Sequence, residues 1–143
     1  MNISQKGIDL IKKYEGCRLV AYKCPAGVLT IGYGHTGSDV HLNQAITMAE
    51  AEHLLKCDLE VHCNNVSKLV VVPLSQNQFD ALVSFEYNVG YNAFKNSTLL
   101  KLLNEGKYVN ASQQFERWKY AGGKVLEGLV RRRLAEKHLF MGN

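Results

Sequence analysis

The sequence has few chain breakers, few cysteines and no long apolar run, and each shortage removes a class of structure. Prolines occur only at positions 25 and 73 of 143 residues, which excludes proline-rich linkers and recognition segments. No stretch nears the ~20 consecutive apolar residues of a membrane-spanning helix, so stable membrane insertion is not expected. The segment Met1 to Lys13 lacks a basic stretch followed by an apolar one, and does not read as a secretory signal. Four cysteines stand at 17, 24, 57 and 63. Their spacings fit neither a zinc site nor a CxxC pair, so no metal and no cofactor is expected. Cys57 and Cys63 lie nearly opposite in phase on a predicted helix, which argues against a bridge between them. With no zinc-finger pattern, no RNP-like segment and no dense Lys/Arg recognition helix, no nucleic-acid partner is expected.

What remains is the composition of one folded domain. Hydrophobic residues make up 46% of the chain, enough for a core and too many for a disordered tail. Lys and Arg number 17 against 13 acids, a formal charge of +4. That mild excess suits an anionic polymer or serves solubility alone.

The pattern along the chain is mixed. Residues 4–14 carry an amphipathic helix with Ser4 as its cap, a stripe at Ile8, Ile11 and Tyr14, and a stop at Gly16. Residues 17–36 change to a period of two. Two β-type runs flank the breaker Cys24-Pro25-Ala26-Gly27, predicting a small hairpin or three-stranded ribbon. From Thr47 onward the signal is helical. Capping boxes open helices at Thr47 and Ser75, the first running to about residue 65 and the second to Asn88. Further helices are predicted near 97–104, near 108–118 and from about Val125 to Phe140. The fold class is α+β: a small β-hairpin N-terminal lobe, a connecting helix and a helical C-terminal lobe, with a cleft between lobes. The chain reads as a single domain, 1–143, with lobes at roughly 12–60 and at 1–11 plus 61–143.

The chemistry gathers at the start of that ribbon. Glu15 stands at the C-terminal end of the first helix, where the helix dipole disfavours an anion. That suits a carboxylic acid meant to keep its proton. Breaking a glycosidic bond needs such an acid, and on the opposite face of the sugar a group that guides water or stabilises positive charge. Cys24 and Thr30 are the candidates for that face. A thiol there is unusual, because a carboxylate is the common choice.

Glu15, then eight residues, Cys24, then five residues, Thr30: this spacing resembles the signature of phage-type lysozymes, the T4-like and lambdoid endolysins of glycoside hydrolase family 24. The resemblance runs from Glu15-Gly16 through Thr30-Ile31-Gly32-Tyr33-Gly34-His35-Thr36. It resumes at Phe79 to Gly90, at Phe115-Glu116-Arg117-Trp118 and at Gly128 to Arg133 with Glu136.

The resemblance implies a lysozyme-like fold and hydrolysis of the β-1,4 bond between N-acetylmuramic acid and N-acetylglucosamine in peptidoglycan. It implies Glu15 as general acid, Cys24 and Thr30 as the other catalytic positions, and His35 paired structurally with Asp58. Asn88 and Tyr33 become substrate-binding candidates; as a helix-end residue Asn88 is equally a cap. The partners implied are peptidoglycan glycan strands and a holin-like protein for release, with the enzyme a monomer that waits in the host cytoplasm and acts in the periplasm or cell wall. Two other functions stay open at this stage: a lytic transglycosylase, which manages with one acid, and a catalytically weak peptidoglycan-binding module. Three further readings are made here. Glu86 is read as packing rather than as a second catalytic carboxylate. Arg131-Arg132-Arg133 spans most of one helical turn, so the three cannot all face one way; it is read as a solvated basic face, with one or two of them meeting the cleft or acidic peptide stems as the alternative, and Trp118 is read as core.

Overall fold

The computed structural model describes residues 1–142, in which a three-stranded sheet is joined by one long helix to a cluster of shorter helices. Helix α1, Gln5–Glu15, buries Gly7 and Ile11. Ser4 stands at its N-cap, yet the hydroxyl does not close on the helix. It donates instead to Asp80, whose carboxylate also accepts the Ser4 N–H at 3.0 Å and a Gln76 amide at 2.8 Å. Asp80 is fully buried, and a buried carboxylate claims whatever donors lie near it. Gly16 ends α1 at φ +68°, with its N–H returning to the Lys12 carbonyl at 3.0 Å.

Strands β1 (Arg18–Lys23), β2 (Leu29–Gly32) and β3 (His35–Thr36) form an antiparallel sheet in that order. Thr30 lies opposite Tyr22 on one side and Thr36 on the other. An irregularity between Arg18 and Tyr22 bends β1. Helix α2, Met48–Leu69, opens with the capping box of Thr47 and Glu50. It buries Ala51, Leu55, Leu59, Cys63 and Val66, an unbroken stripe at spacings of three and four. That stripe carries the helix past its sequence-predicted end.

Helix α3, Gln76–Val89, is capped by Ser75 and Gln78 and buries every residue from Phe79 to Glu86. It is the axis of the helical lobe. Around it lie α4 (Tyr91–Lys95), α5 (Thr98–Asn104), α6 (Tyr108–Gln114) with a following 3-10 turn at Phe115–Arg117, and α7 (Glu127–Phe140). Phe85 meets Phe115 and Trp118 edge to face, each at 5.3 Å, so Trp118 does belong to this packing.

Two local features differ from the sequence reading. The predicted helix over 108–118 tightens into the 3-10 turn. Residues just before α7 form a two-strand hairpin, β4 (Tyr120–Ala121) and β5 (Lys124–Val125), in place of the start of the helix. Gly122 and Gly123, at φ +58° and +78°, are the reason: two consecutive left-handed residues make a tight hairpin turn. The arginine triplet departs from the solvated-face reading and follows its alternative, in which one or two of the three turn inward. Arg131 is exposed, but Arg132 and Arg133 are 3% and 1% exposed, so the solvated basic face is one residue wide.

Candidate active site

Glu15 is the last residue of α1, and its carboxylate lies where three elements meet. From α7, Arg132 Nη1 donates to Glu15 Oε2 at 2.6 Å. From the turn between β2 and β3, Gly34 presses so close that a Cβ there would lie 2.8 Å from Glu15 Oε1. From α3, Tyr87 approaches the same point and donates its hydroxyl to the Tyr33 carbonyl at 2.6 Å. Burial, then the nearby charges of Glu15 and Asp58, push the Tyr87 phenol up, so it stays neutral and acts only as a donor. The Glu15 side chain is 18% exposed while its arginine is 3% exposed. The acid therefore faces solvent and its partner faces the protein.

Arg132 is held from behind. Its Nη2 donates to the Ser84 carbonyl at 3.1 Å, and its Nε approaches Glu136 Oε2 at 3.3 Å. Sequence reasoning singled out neither Tyr87 nor Ser84, and it left Arg132 as one of a triplet of which one or two could meet the cleft, without its pairing to Glu15.

Cys24 and Thr30 sit on the β1–β2 hairpin. Thr30 is 4% exposed and donates its hydroxyl to the Val28 carbonyl at 3.0 Å. The Cys24 thiol is half-buried and unbridged. Backbone hydrogen bonding from Val28 and Ala26, with a smaller contribution from the Thr30 hydroxyl, draws it below the ordinary thiol value. A lowered thiol is the direction a base or a charge-stabilising group needs.

The remaining candidates divide. Asn88, exposed near the end of α3, accepts from Arg133 Nη2 through Oδ1 at 2.9 Å, and among the described residues its NH2 has no hydrogen-bond partner. Tyr33 does not fit the substrate-binding role. It lies in the turn between β2 and β3, its ring packs in the core at 8% exposed, and its hydroxyl lies 3.3 Å from Glu52. His35 Nδ1 lies 2.7 Å from Asp58 and its Nε2 lies 2.9 Å from Asp39. Glu86 is fully buried against His62 Nδ1 at 2.5 Å and the Asn65 amide at 3.1 Å, remote from solvent and spent on joining α2 to α3. A recess of about 770 Å³ between α1 and α2 contains neither Glu15 nor Arg132. Chemistry rather than volume marks the site.

The phage lysozyme family model matches residues 12–136. The endolysin of Bacillus phage B103 is 52% identical over 143 residues, covering 99% of this chain and 54% of that protein. The chain thus spans about half the length of the Bacillus phage endolysins it matches. The endolysin of Salmonella phage P22 is 44% identical over 145 residues and covered over 99% of both chains. Among solved structures, the muramidase domain of SpmX from Asticaccaulis excentricus superposes with a TM-score of 0.90 at 44% identity, over 98% of this chain and 97% of that one. Further relatives bear the name SAR-endolysin.

Proposed function

The chain belongs to the phage lysozyme family, and we propose on that premise that it is an endolysin that hydrolyses the β-1,4 bond between N-acetylmuramic acid and N-acetylglucosamine in peptidoglycan. The observation that carries this reading is the setting of Glu15: a partly exposed carboxyl, fixed on its inner side by Arg132 and open on its outer side. Glu15 protonates the leaving glycosidic oxygen. Cys24 and Thr30 serve the opposite face, where they order the attacking water, and in molecules that carry the Cys24 thiolate that thiolate takes the water's proton and becomes the thiol. An inverting reaction of this kind holds the two groups ~6.5–9.5 Å apart to admit that water. Asn88, through its NH2, donates to a carbonyl of the glycan, most simply an N-acetyl oxygen. His35 and Asp58 brace the sheet against α2.

The test is release of reducing ends from purified peptidoglycan by the wild type and by Glu15→Gln. The reading requires loss of release in the variant; full activity there would sink it.

A second reading is favoured by Cys24. A transglycosylase closes the sugar on itself and needs no base for water, so a thiol costs it little. Mass spectrometry of the products separates the two: 1,6-anhydro ends in place of reducing ends would overturn hydrolysis. For export, release through a holin-like partner is part of the proposal. The relatives named SAR-endolysin favour a route independent of such a partner. Lysis by this chain expressed alone in a bacterium would decide for that route. Among the described residues no helix is long and apolar enough to cross a membrane.

A further inference from the structure

Arg132 and Arg133 lie side by side on α7 with almost no exposure. Buried cations are costly unless paired. Glu15 cannot balance both, because it is partly exposed, pairs with Arg132, and must carry a proton when it acts as an acid. Glu136, on the next turn of α7 and fully buried, is the other carboxylate in reach. Its Oε2 accepts from the Ser84 hydroxyl at 2.6 Å and approaches Arg132 Nε and Arg133 Nη2, each at 3.3 Å. Arg133 Nε lies 2.8 Å from Glu136 Oε1 at an angle poor for a hydrogen bond, so that contact is Coulombic. The far ends of the same two arginines touch the site: Arg132 meets Glu15, and Arg133 meets Asn88.

We propose that Glu136 is a positioning residue for catalysis: its buried carboxylate anchors Arg132 and Arg133 and offsets their charge, so that Glu15 can hold a proton beside a guanidinium. The inference rests on the reading of Glu15 as the general acid. A cation in contact with a carboxyl favours the ionised form, which is the wrong form for an acid. With Glu136 present, the four charges cancel when Glu15 is ionised, and one positive charge is left when it is protonated. Without Glu136, the protonated state leaves two positive charges in a desolvated cluster, and the active form is penalised.

The surroundings contribute little else. Glu15 faces Arg132 from α7, the neutral Tyr87 from α3 and the Gly34 backbone from the sheet. Glu136 faces Arg132 and Arg133 from its own helix and Ser84 from α3. Burial pushes the Glu136 carboxyl up, while Arg133, Arg132 and Ser84 act against that push. Burial prevails, so the carboxyl is left raised, and the two guanidiniums in contact with it are the groups that favour its charged form.

Glu136→Gln keeps the shape and removes the charge. With soluble, uncrosslinked glycan strands as substrate, kcat at pH 7 is expected to fall about tenfold or more. The alkaline limb of the pH–activity profile is expected to move down by about one pH unit, so activity returns in part on acidification. A merely structural Glu136 would lower the melting temperature and leave the limb in place, and that result would overturn the proposal. Should Glu136→Gln not fold, Ser84→Ala decides the matter: it removes one hydrogen bond from Glu136, and the same displacement is expected at smaller size. An unmoved limb in Ser84→Ala overturns the proposal equally. Glu15→Gln keeps the two claims apart. Activity retained there removes the acid and the inference together. Activity lost there, with a wild-type profile in the Glu136 and Ser84 variants, removes only the inference.

Discussion

Gly34 lies against the carboxylate of Glu15 so closely that a side chain would have to displace it: a Cβ on Gly34 would stand 2.8 Å from Glu15 Oε1. The backbone there is at φ +82°. Two independent constraints, conformation and contact, require glycine at this point.

Gly34→Ala is therefore expected to cost stability and activity by separate routes. The left-handed backbone costs an alanine about 1–2 kcal/mol. The new methyl displaces the Glu15 carboxylate, and a misplacement of about 1 Å lowers the rate about a hundredfold. Reducing-end release at a temperature where the variant is fully folded separates the two effects. Wild-type turnover in that assay would show that Glu15 finds a productive position elsewhere.

Much of this arrangement was legible in the sequence. The capping boxes at Thr47 and Ser75, the stop at Gly16 and the change of period after it are local signals, and local signals suffice to place α1, α2, α3 and the hairpin. Glu15 was legible for the same reason, since its placement depends only on the end of one helix. Arg132 was not, because its partners come from the far end of the chain: Glu15 is 117 residues away and Ser84 is 48 away. A charged triplet on a helix ordinarily faces water, and only tertiary contact with two carboxylates reverses that. Tyr33 failed in the opposite sense. The resemblance implied a substrate-binding role, whereas the turn between β2 and β3 packs the ring into the core beside α2. The hairpin before α7 was hidden by brevity, since two-residue strands have no period.

Gly7 gives a stability test in which the usual rule reverses. Within a helix, glycine to alanine ordinarily stabilises by about 1 kcal/mol. Here a Cβ would lie 2.7 Å from Ile3 Cγ1 and 2.9 Å from the Cβ and Cγ of Asp80. Asp80 is fully buried and tied to Ser4 and Gln76, so it has little freedom to yield. Overpacking of this kind costs about 1–3 kcal/mol. Gly7→Ala is expected to lower the urea midpoint, with the activity of the folded protein unchanged. A raised midpoint would mean that α1 shifts freely on α3.

His35 links stability to pH. Burial pulls its imidazole down, but the hydrogen bonds with Asp58 and Asp39 outweigh burial and leave it raised. A group raised in the folded state binds its proton more tightly there than in the unfolded chain. Its contribution is fully present below the ordinary imidazole value of about 6.5 and is lost as pH rises through the higher folded value. His35→Gln should therefore lower the unfolding free energy more at about pH 5.5 than at about pH 9, by denaturant titration at both. An equal loss at the two values would show that the imidazole contributes packing alone.

Cys24 is the position at which the chemistry is most open to experiment. Its thiol is drawn down chiefly by backbone hydrogen bonding from Val28 and Ala26, yet a thiol remains largely protonated in mildly acidic solution, where an aspartate with an ordinary value of about 3.9 is ionised. If the position works as a base or as a negative charge opposite Glu15, Cys24→Asp should equal or exceed the wild type at about pH 5–6. Its advantage should shrink toward about pH 8, where more thiolate forms. Cys24→Ser keeps the size of the side chain and loses the ionisation, so it should fall below the wild type throughout. A turbidity assay of cell-wall lysis across this range, with all three proteins, reads the comparison directly. Activity abolished in Cys24→Asp and kept in Cys24→Ser would remove the base from this face of the site and leave the water to Thr30, or leave no water to order, as a transglycosylase requires.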